Sequence, residues 1–271
     1  MRRSRGFTLV ELLVVIAIIA LLISILAPSL KLAKELTKQA MCATYARNIA
    51  MATIMYGESN RGNLPPFDEG ASGYARPINA GDLHRLFKLA AGNPPGTKND
   101  VLLTNADGTP SIQGAPGFLW VKGFIDNPGT FFCPAQRHPQ FKRSSYPDPY
   151  PFSIDNPVDD GWYVHKIAYL YNLNIRPTSA PDLCVYMYTN LGTFPTDRML
   201  AMDTILRSDF LSHTFPVNGD NYIKVNAVYI DGHVIPKSSS MAYRILVANE
   251  PGDGLYDTAL FHKALPELQD K

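Results

Sequence analysis

From Phe7 to Ala27 the chain is apolar apart from Thr8, Glu11 and Ser24. A run of this kind has the roughly 20 residues needed to cross the hydrocarbon core of a bilayer as a helix. Arg2, Arg3 and Arg5 precede it and no acid does, so the N-terminus should stay cytoplasmic and the bulk of the chain should be exported. A cleaved secretory signal has a shorter apolar region and small residues at its cut site. Here the run is too long, and a cut after Ala27 would leave Pro28 at the new N-terminus. A plain anchor fits the length but gives no reason for Glu11, because a carboxylate within an apolar span costs roughly 2.5–3.5 kcal/mol on insertion scales. Glu11 is therefore a candidate functional residue.

The helical signal continues past the apolar run. Leu30 to Tyr56 contains neither glycine nor proline and is rich in leucine, alanine, lysine and glutamate, all good helix formers. Apolar side chains recur at helical spacing at Tyr45, Ile49, Ala52 and Tyr56. Gly57 and the cluster Asn60-Arg61-Gly62-Asn63 supply the stop. One helix is expected from about residue 7 to about 57, with a length on the order of 75 Å at 1.5 Å per residue. Pro28 should kink or locally melt it, since proline removes a hydrogen bond and crowds the preceding turn.

Beyond residue 58 the pattern changes. Many of the 22 prolines and 19 glycines fall there, as loops between short strands require. Asp82 to Ala91 has helical spacing with Asp82 as N-cap. Residues 92–117 and 134–161 read as long loops, and 118–124 as a short helix or strand. Strand signals lie at Val164–Ile175, Leu183–Tyr188 and Lys224–Ile230, with His233-Val234-Ile235 following across Asp231-Gly232. An Asp-Gly pair between apolar runs predicts a hairpin with a type I′ turn, which needs positive φ at both central residues. The fold class expected is α+β, one long N-terminal helix packed on a mainly antiparallel sheet with long loops. The divisions are 1–6, a leader; 7–27, a membrane helix; 28–57, its amphipathic continuation; and 58–271, an exported head.

The stretch Gly6-Phe7-Thr8-Leu9-Val10-Glu11-Leu12 resembles the prepilin cleavage and methylation motif of type IV pilins and type II secretion pseudopilins. The resemblance implies cleavage between Gly6 and Phe7 by a membrane peptidase and methylation of the new amino group on Phe7. Glu11 then lies one helical turn from that amino group and can pair with the amino group of a neighbouring subunit in a filament. A looser resemblance covers the head: Phe131-Phe132-Cys133-Pro134, Ala168-Tyr169-Leu170-Tyr171-Asn172, His213 and Val225 to Val234 look like the H-X9-DG pilin-like proteins of planctomycete-type bacteria. His213 stands further before Asp231 than the gap usual in that family.

These resemblances imply a non-enzymatic structural subunit of a pilus-like or pseudopilus-like filament, single-pass in a bacterial inner membrane. Its partners would be prepilin peptidase, other pilin-like subunits and an inner-membrane assembly platform. The alternative is a membrane-anchored periplasmic or surface binding protein or hydrolase that uses the same anchor. Composition excludes one class: 25 lysines and arginines against 24 aspartates and glutamates leave no excess positive charge for nucleic acid.

Chemistry in the head is sparse. Gly-x-Ser-x-Gly, P-loop and dinucleotide-binding glycine motifs are absent in a strand–helix context. His213, Asp231 and His233, with Asp203 or Asp209, are weak candidates for a metal or acid/base set, but Asp231 is already accounted for by the turn. No cofactor is expected. Calcium is the one ion that loop acids Asp155, Asn156, Asp159 and Asp160 would suit, yet they lack the alternation of an EF-hand and read better as solvated turn residues. The aromatics Tyr146, Tyr150, Phe152, Trp162, Tyr163, Tyr169 and Tyr171 suit core packing better than a glycan-binding surface. The three cysteines, Cys42, Cys133 and Cys184, cannot all pair within one chain. In an oxidising compartment, Cys42–Cys133 is the favoured bridge, because Cys42 lies where the head must pack on the helix and Cys133 follows the apolar pair Phe131-Phe132. Cys133–Cys184 is the competing pair, and three buried thiols are the simplest alternative.

Overall fold

The structure, a computed structural model, describes residues 8–66, 85–90, 101–102, 105–106, 108, 115–138, 141–146, 164–171, 190–203, 211–217, 219–248 and 268. Helix α1, Leu9–Ser59, dominates it. Its 51 residues span about 76 Å at 1.5 Å per residue. The helix runs without a break through Pro28, so the local melting that proline permits does not occur. Pro28 removes one ladder bond, while good helix formers continue on both sides. The hydroxyls of Ser24 and Ser29 donate back to the carbonyls of Leu21 (2.7 Å) and Leu26 (2.8 Å), so neither adds an unpaired donor to the apolar face.

The two halves of α1 live in different surroundings. Large apolar side chains from Leu9 to Leu32 are exposed, Leu9 at 78% and Ile25 at 65%. In the second half Cys42, Ala46, Ile49, Thr53 and Tyr56 are buried. Steps of three and four residues place them on one face. Asn60 caps the helix, its backbone N–H bonding to the carbonyl of Gly57. Arg61 (φ 58°) and Gly62 (φ 81°) then turn the chain out.

Among the described residues the head carries two sheets. In one, β1 (Arg85–Ala90) lies between β2 (Val101–Leu102) and β3 (Val164–Lys166), antiparallel to both. The helical spacing of Asp82–Ala91 is therefore overruled: its central six residues are a strand. Ladder bonds to chain segments far away in sequence replace the i→i−4 bonds that local propensity favoured. Of residues 118–124, the first four are helical, in α2 (Ala115–Val121), and 122–124 form the turn that follows. The Val164–Ile175 signal splits between β3 and β4 (Tyr169–Tyr171), and Ala168 N–H bonds to the Phe131 carbonyl at 2.9 Å between them. Leu183–Tyr188 lies outside the described residues.

The second sheet docks on α1. β4 pairs with β5 (Met199–Asp203), and β5 pairs with β7 (Asp220–Tyr229), all antiparallel. β7 also pairs with β6 (Thr214–Val217) and β8 (Val234–Ser239). The registers show how one strand serves three partners. Ile223 faces both Thr214 and Ser239, and Val228 faces both Ala201 and Val234. β5 and β6 therefore follow one another along one edge of β7, with β8 on the other edge. They behave as a single strand interrupted between Asp203 and Thr214. Helix α3 (Ser240–Ala248) follows β8 and packs on β7.

The β7–β8 hairpin forms across Asp231-Gly232, but its turn is not type I′. Gly232 has φ 83° and Asp231 does not share the positive φ. Gly232 N–H bonds to the Tyr229 carbonyl (2.9 Å) and Tyr229 N–H to the His233 carbonyl (3.0 Å). This is a three-residue loop, Ile230-Asp231-Gly232, with one left-handed residue at its end. The Asp231 carboxylate accepts from the His233 N–H at 3.0 Å, which holds the aspartate in the turn without left-handed backbone.

Candidate functional site

At the start of α1, Thr8 is the N-cap and Glu11 the third helical residue. Glu11 N–H bonds to Thr8 Oγ1 at 3.2 Å, while Glu11 Oε2 accepts from the Thr8 N–H (2.8 Å) and the Thr8 hydroxyl (2.7 Å). This reciprocal capping box satisfies donors that the first turn cannot bond internally. It also gives the carboxylate a local partner within the apolar half, which a reading of Glu11 as a residue awaiting a neighbour does not include. The spacing Thr8-x-x-Glu11 is the sequence signal for it. Gly6 and Phe7 lie outside the described residues.

A second cluster forms where the head meets the helix. Cys42 on α1 and Cys133 are joined by a disulfide, with Cα atoms 5.0 Å apart. Cys133 is set by a 3-10 turn, Pro128–Phe131, capped by the Asn127 side chain on Gly129 N–H at 2.8 Å. The interruption between β5 and β6 brings Asp203 and His213 to the same place. Asp203 ends β5, and its Oδ2 accepts from Asn226 N–H (2.7 Å) and Asn226 Nδ2 (3.0 Å). The carboxylate thus fills the gap in the β7 ladder that the interruption leaves. His213, where the second run resumes, accepts at its carbonyl from Lys224 N–H at 2.9 Å. Its Nε2 lies 3.5 Å from Cys133 Sγ and 4.0 Å from Asp203 Oδ2.

All four side chains are buried. Burial raises the Asp203 carboxyl to about 7, against the two Asn226 hydrogen bonds, which lower it. Burial likewise pushes the His213 imidazole down to about 4. The imidazole is therefore neutral at pH 7, and its contact with Asp203 is not a salt bridge between two full charges. Tyr169 lies alongside, donating its hydroxyl to the Cys42 carbonyl at 3.2 Å, and burial drives its pKa well up.

The candidate set His213, Asp231 and His233 does not assemble. His213 is anchored beside Lys224, whereas His233 closes the hairpin beyond Tyr229. The anchors are five residue steps apart along β7, on the order of 17 Å. Asp231 and His233 form a short hydrogen-bonded pair at the exposed turn, with the His233 ring stacked on Tyr229. The His233 backbone N–H is the main cause lowering the Asp231 carboxyl. His213 joins Asp203, Cys42 and Cys133 instead, and one ligand atom from each lies within 4.8 Å of the others. Asp155, Asn156, Asp159, Asp160, Cys184 and Asp209 lie outside the described residues, as do Tyr150, Phe152, Trp162 and Tyr163. Tyr146, Tyr169 and Tyr171 are core residues.

Residues 1–27 match the family model described as the prokaryotic N-terminal methylation motif. That match covers the apolar run and Glu11. The chain's N-terminal segment is type IV pilin-like. A similar curated relative is the type IV wide pilus major component PilA4 of Thermus thermophilus, 40% identical over 60 residues. The alignment takes in 22% of this chain and 46% of the relative, so the chain spans about half the length of the relative it matches. No solved structure matches it. The junction residues Cys42, Cys133, Asp203 and His213 all lie beyond the residues that the methylation motif matches.

Proposed function

We propose that the chain is a structural subunit of a type IV pilus-like or type II secretion pseudopilus-like filament, without catalytic activity. Prepilin peptidase cuts after Gly6 and methylates Phe7. The segment 7–27 holds the precursor in the bacterial inner membrane, and the head follows on the exported side. The observation that carries this reading is the division of α1. One half presents a bare apolar surface with an acid in its first turn, and the other half is built into a folded head. A bare half-helix is stable in lipid or against the same half of other subunits, and exposed to water it would aggregate. On assembly Glu11 exchanges its Thr8 contacts for the amino group of a neighbouring Phe7, and the assembly platform gathers subunits for that step.

Mass spectrometry of protein purified from membranes tests the processing step. The mature chain should begin at N-methylated Phe7, and a bulky substitution at Gly6 should leave the precursor uncut. Glu11→Val should insert normally but lose crosslinking to other pilin-like subunits. An intact Met1 start in cells with active peptidase, or full assembly of Glu11→Val, would refute the proposal.

A further inference from the structure

We propose that Cys42, Cys133, Asp203 and His213 form a buried Zn2+ site whenever the two cysteines are thiols, so that metal and disulfide are alternative closures of one helix–head crosslink.

Geometry is the first support. Zn–S bonds near 2.3 Å and Zn–N and Zn–O bonds of about 2.0–2.2 Å, arranged tetrahedrally, set ligand atoms roughly 3.3–3.8 Å apart. Cys133 Sγ and His213 Nε2 are 3.5 Å apart, His213 Nε2 and Asp203 Oδ2 are 4.0 Å apart, and all four ligand atoms fall within 4.8 Å of each other. The two sulfurs, being bonded to each other, are closer than a metal needs, and breaking their bond frees them to separate. The donor types are the second support. Two thiolates, an imidazole and a carboxylate form a borderline-soft tetrahedral set that suits Zn2+ and disfavours Mg2+ and Ca2+.

The third support is an unmet need. Asp203 Oδ1 is buried and has no hydrogen-bond partner. An unpaired buried carboxylate oxygen is costly, and a cation held by this carboxylate would offset that cost. The ligands also sit on regular, tied-down structure. Asp203 is held by Asn226 through two hydrogen bonds, His213 by the β7 backbone, and Cys42 by α1. Such outer contacts orient ligands before a metal arrives. Two thiolates and one carboxylate around Zn2+ leave one negative charge. Lys38, Lys224 and Glu35 act on His213 electrostatically from around the site, and their sum is one positive charge.

The chain is synthesised with both thiols, so the metal form needs no reductant. Zn2+ displaces the two thiol protons and binds both sulfurs. Exchange with a disulfide oxidant passes two electrons from the thiolates to it, forms the Cys42–Cys133 bond, releases the ion and leaves the oxidant as a dithiol that takes two protons from water. The reverse step takes two electrons and two protons from a dithiol, which itself becomes a disulfide. Either closure joins α1 to the head across the same two residues, so an exported subunit can be held docked before an oxidant reaches it.

The test uses full-length processed protein in detergent, with Cys184→Ser so that only the two site thiols remain. It is reduced with a dithiol, desalted under nitrogen and titrated with Co2+. The expected result is one ion per chain, with the visible bands of tetrahedral Co2+ and thiolate-to-cobalt charge transfer, and with Zn2+ displacing it. The oxidised protein should show neither band. Asp203→Asn and His213→Ala should each weaken Co2+ binding at least tenfold and shift the visible bands. If His213→Ala fails to fold, His213→Gln keeps the shape and removes the imidazole. Folding of each variant is checked in the oxidised state by near-ultraviolet circular dichroism. Failure of folded, reduced protein to bind Co2+ would overturn the proposal, as would binding that Asp203→Asn and His213→Gln both leave unchanged. Neither result bears on cleavage after Gly6 or on filament assembly.

Discussion

Replacing Cys42 and Cys133 together by alanine should remove a large share of the head's stability. The bridge links residues 91 apart in sequence. In the chain-entropy model a loop of that size is worth about 4.6 kcal/mol at 25 °C, from the fixed term plus 1.5R times the logarithm of its length. Domain stabilities are about 5–15 kcal/mol, so the loss is a large fraction of the whole. Part of the change is local packing, because both sulfurs are buried among core residues. Reduced wild-type protein held with a chelator separates the two contributions, since it loses the crosslink and keeps the sulfur atoms. The assay is urea unfolding of full-length protein in detergent, followed by Trp120, which packs edge-on against Phe131 two residues from the bridge. With an m-value of about 2 kcal/mol/M, the midpoint should fall by about 2 M in reduced wild type and further in the double variant. A loss below about 1 kcal/mol in reduced wild type would refute the entropic account. It would mean that residual structure keeps residues 42 and 133 close in the unfolded chain without the crosslink.

Other substitutions probe the same interface. Thr53 Oγ1 donates to the Ile49 carbonyl (2.8 Å) and meets the Tyr171 hydroxyl (3.1 Å) in the core, so the tyrosine is the donor of that second bond. Thr53→Val orphans a buried hydroxyl and should cost about 1–3 kcal/mol, and Tyr171→Phe should cost less because Thr53 keeps Ile49. Equal urea midpoints for the two variants would contradict this. Gly57→Ala places a Cβ 2.4 Å from Leu191 Cδ1 and 2.8 Å from its Cγ. Leu191 is tied by its N–H to the Gly62 carbonyl at 2.8 Å. The variant should therefore lose about 1–3 kcal/mol despite alanine's better helix propensity, and a raised unfolding midpoint would show that Leu191 moves aside. Gly232→Ala forces a side chain onto φ 83° with Met51 Sδ 3.0 Å from the new Cβ. Its cost should be about 1–2 kcal/mol, and an unchanged melting temperature would count against the left-handed assignment.

Local chemistry determined α1. Helix formers from Leu30 to Tyr56, the apolar run before them and the stop at Asn60-Arg61-Gly62 each act within a few residues, so a reading along the chain finds them. The β7–β8 hairpin was legible for the same reason, because Asp231-Gly232 marks a reversal between two apolar runs. Its turn type was not, since the Asp231 side chain bonds to His233 and makes left-handed backbone unnecessary there. Thr8 was visible in principle through its spacing from Glu11.

Tertiary structure decided what depends on partners distant in sequence. Arg85–Ala90 became a strand because β2 and β3 lie on either side of it, a fact that no window around residue 85 contains. Asp203 and His213 carry no motif in their own neighbourhoods. They meet because two strand runs, 199–203 and 214–217, align end to end on one edge of β7. The gap between those runs leaves a backbone N–H on Asn226 that the Asp203 carboxylate fills. Cys42 and Cys133 could be put forward as partners from the apolar residues around them. Only the docking of sheet on helix set their bond beside an imidazole and a half-satisfied carboxylate. Periodicity and turn chemistry report on interactions a few residues long, whereas a buried cluster is drawn from strands whose register is settled by the whole sheet.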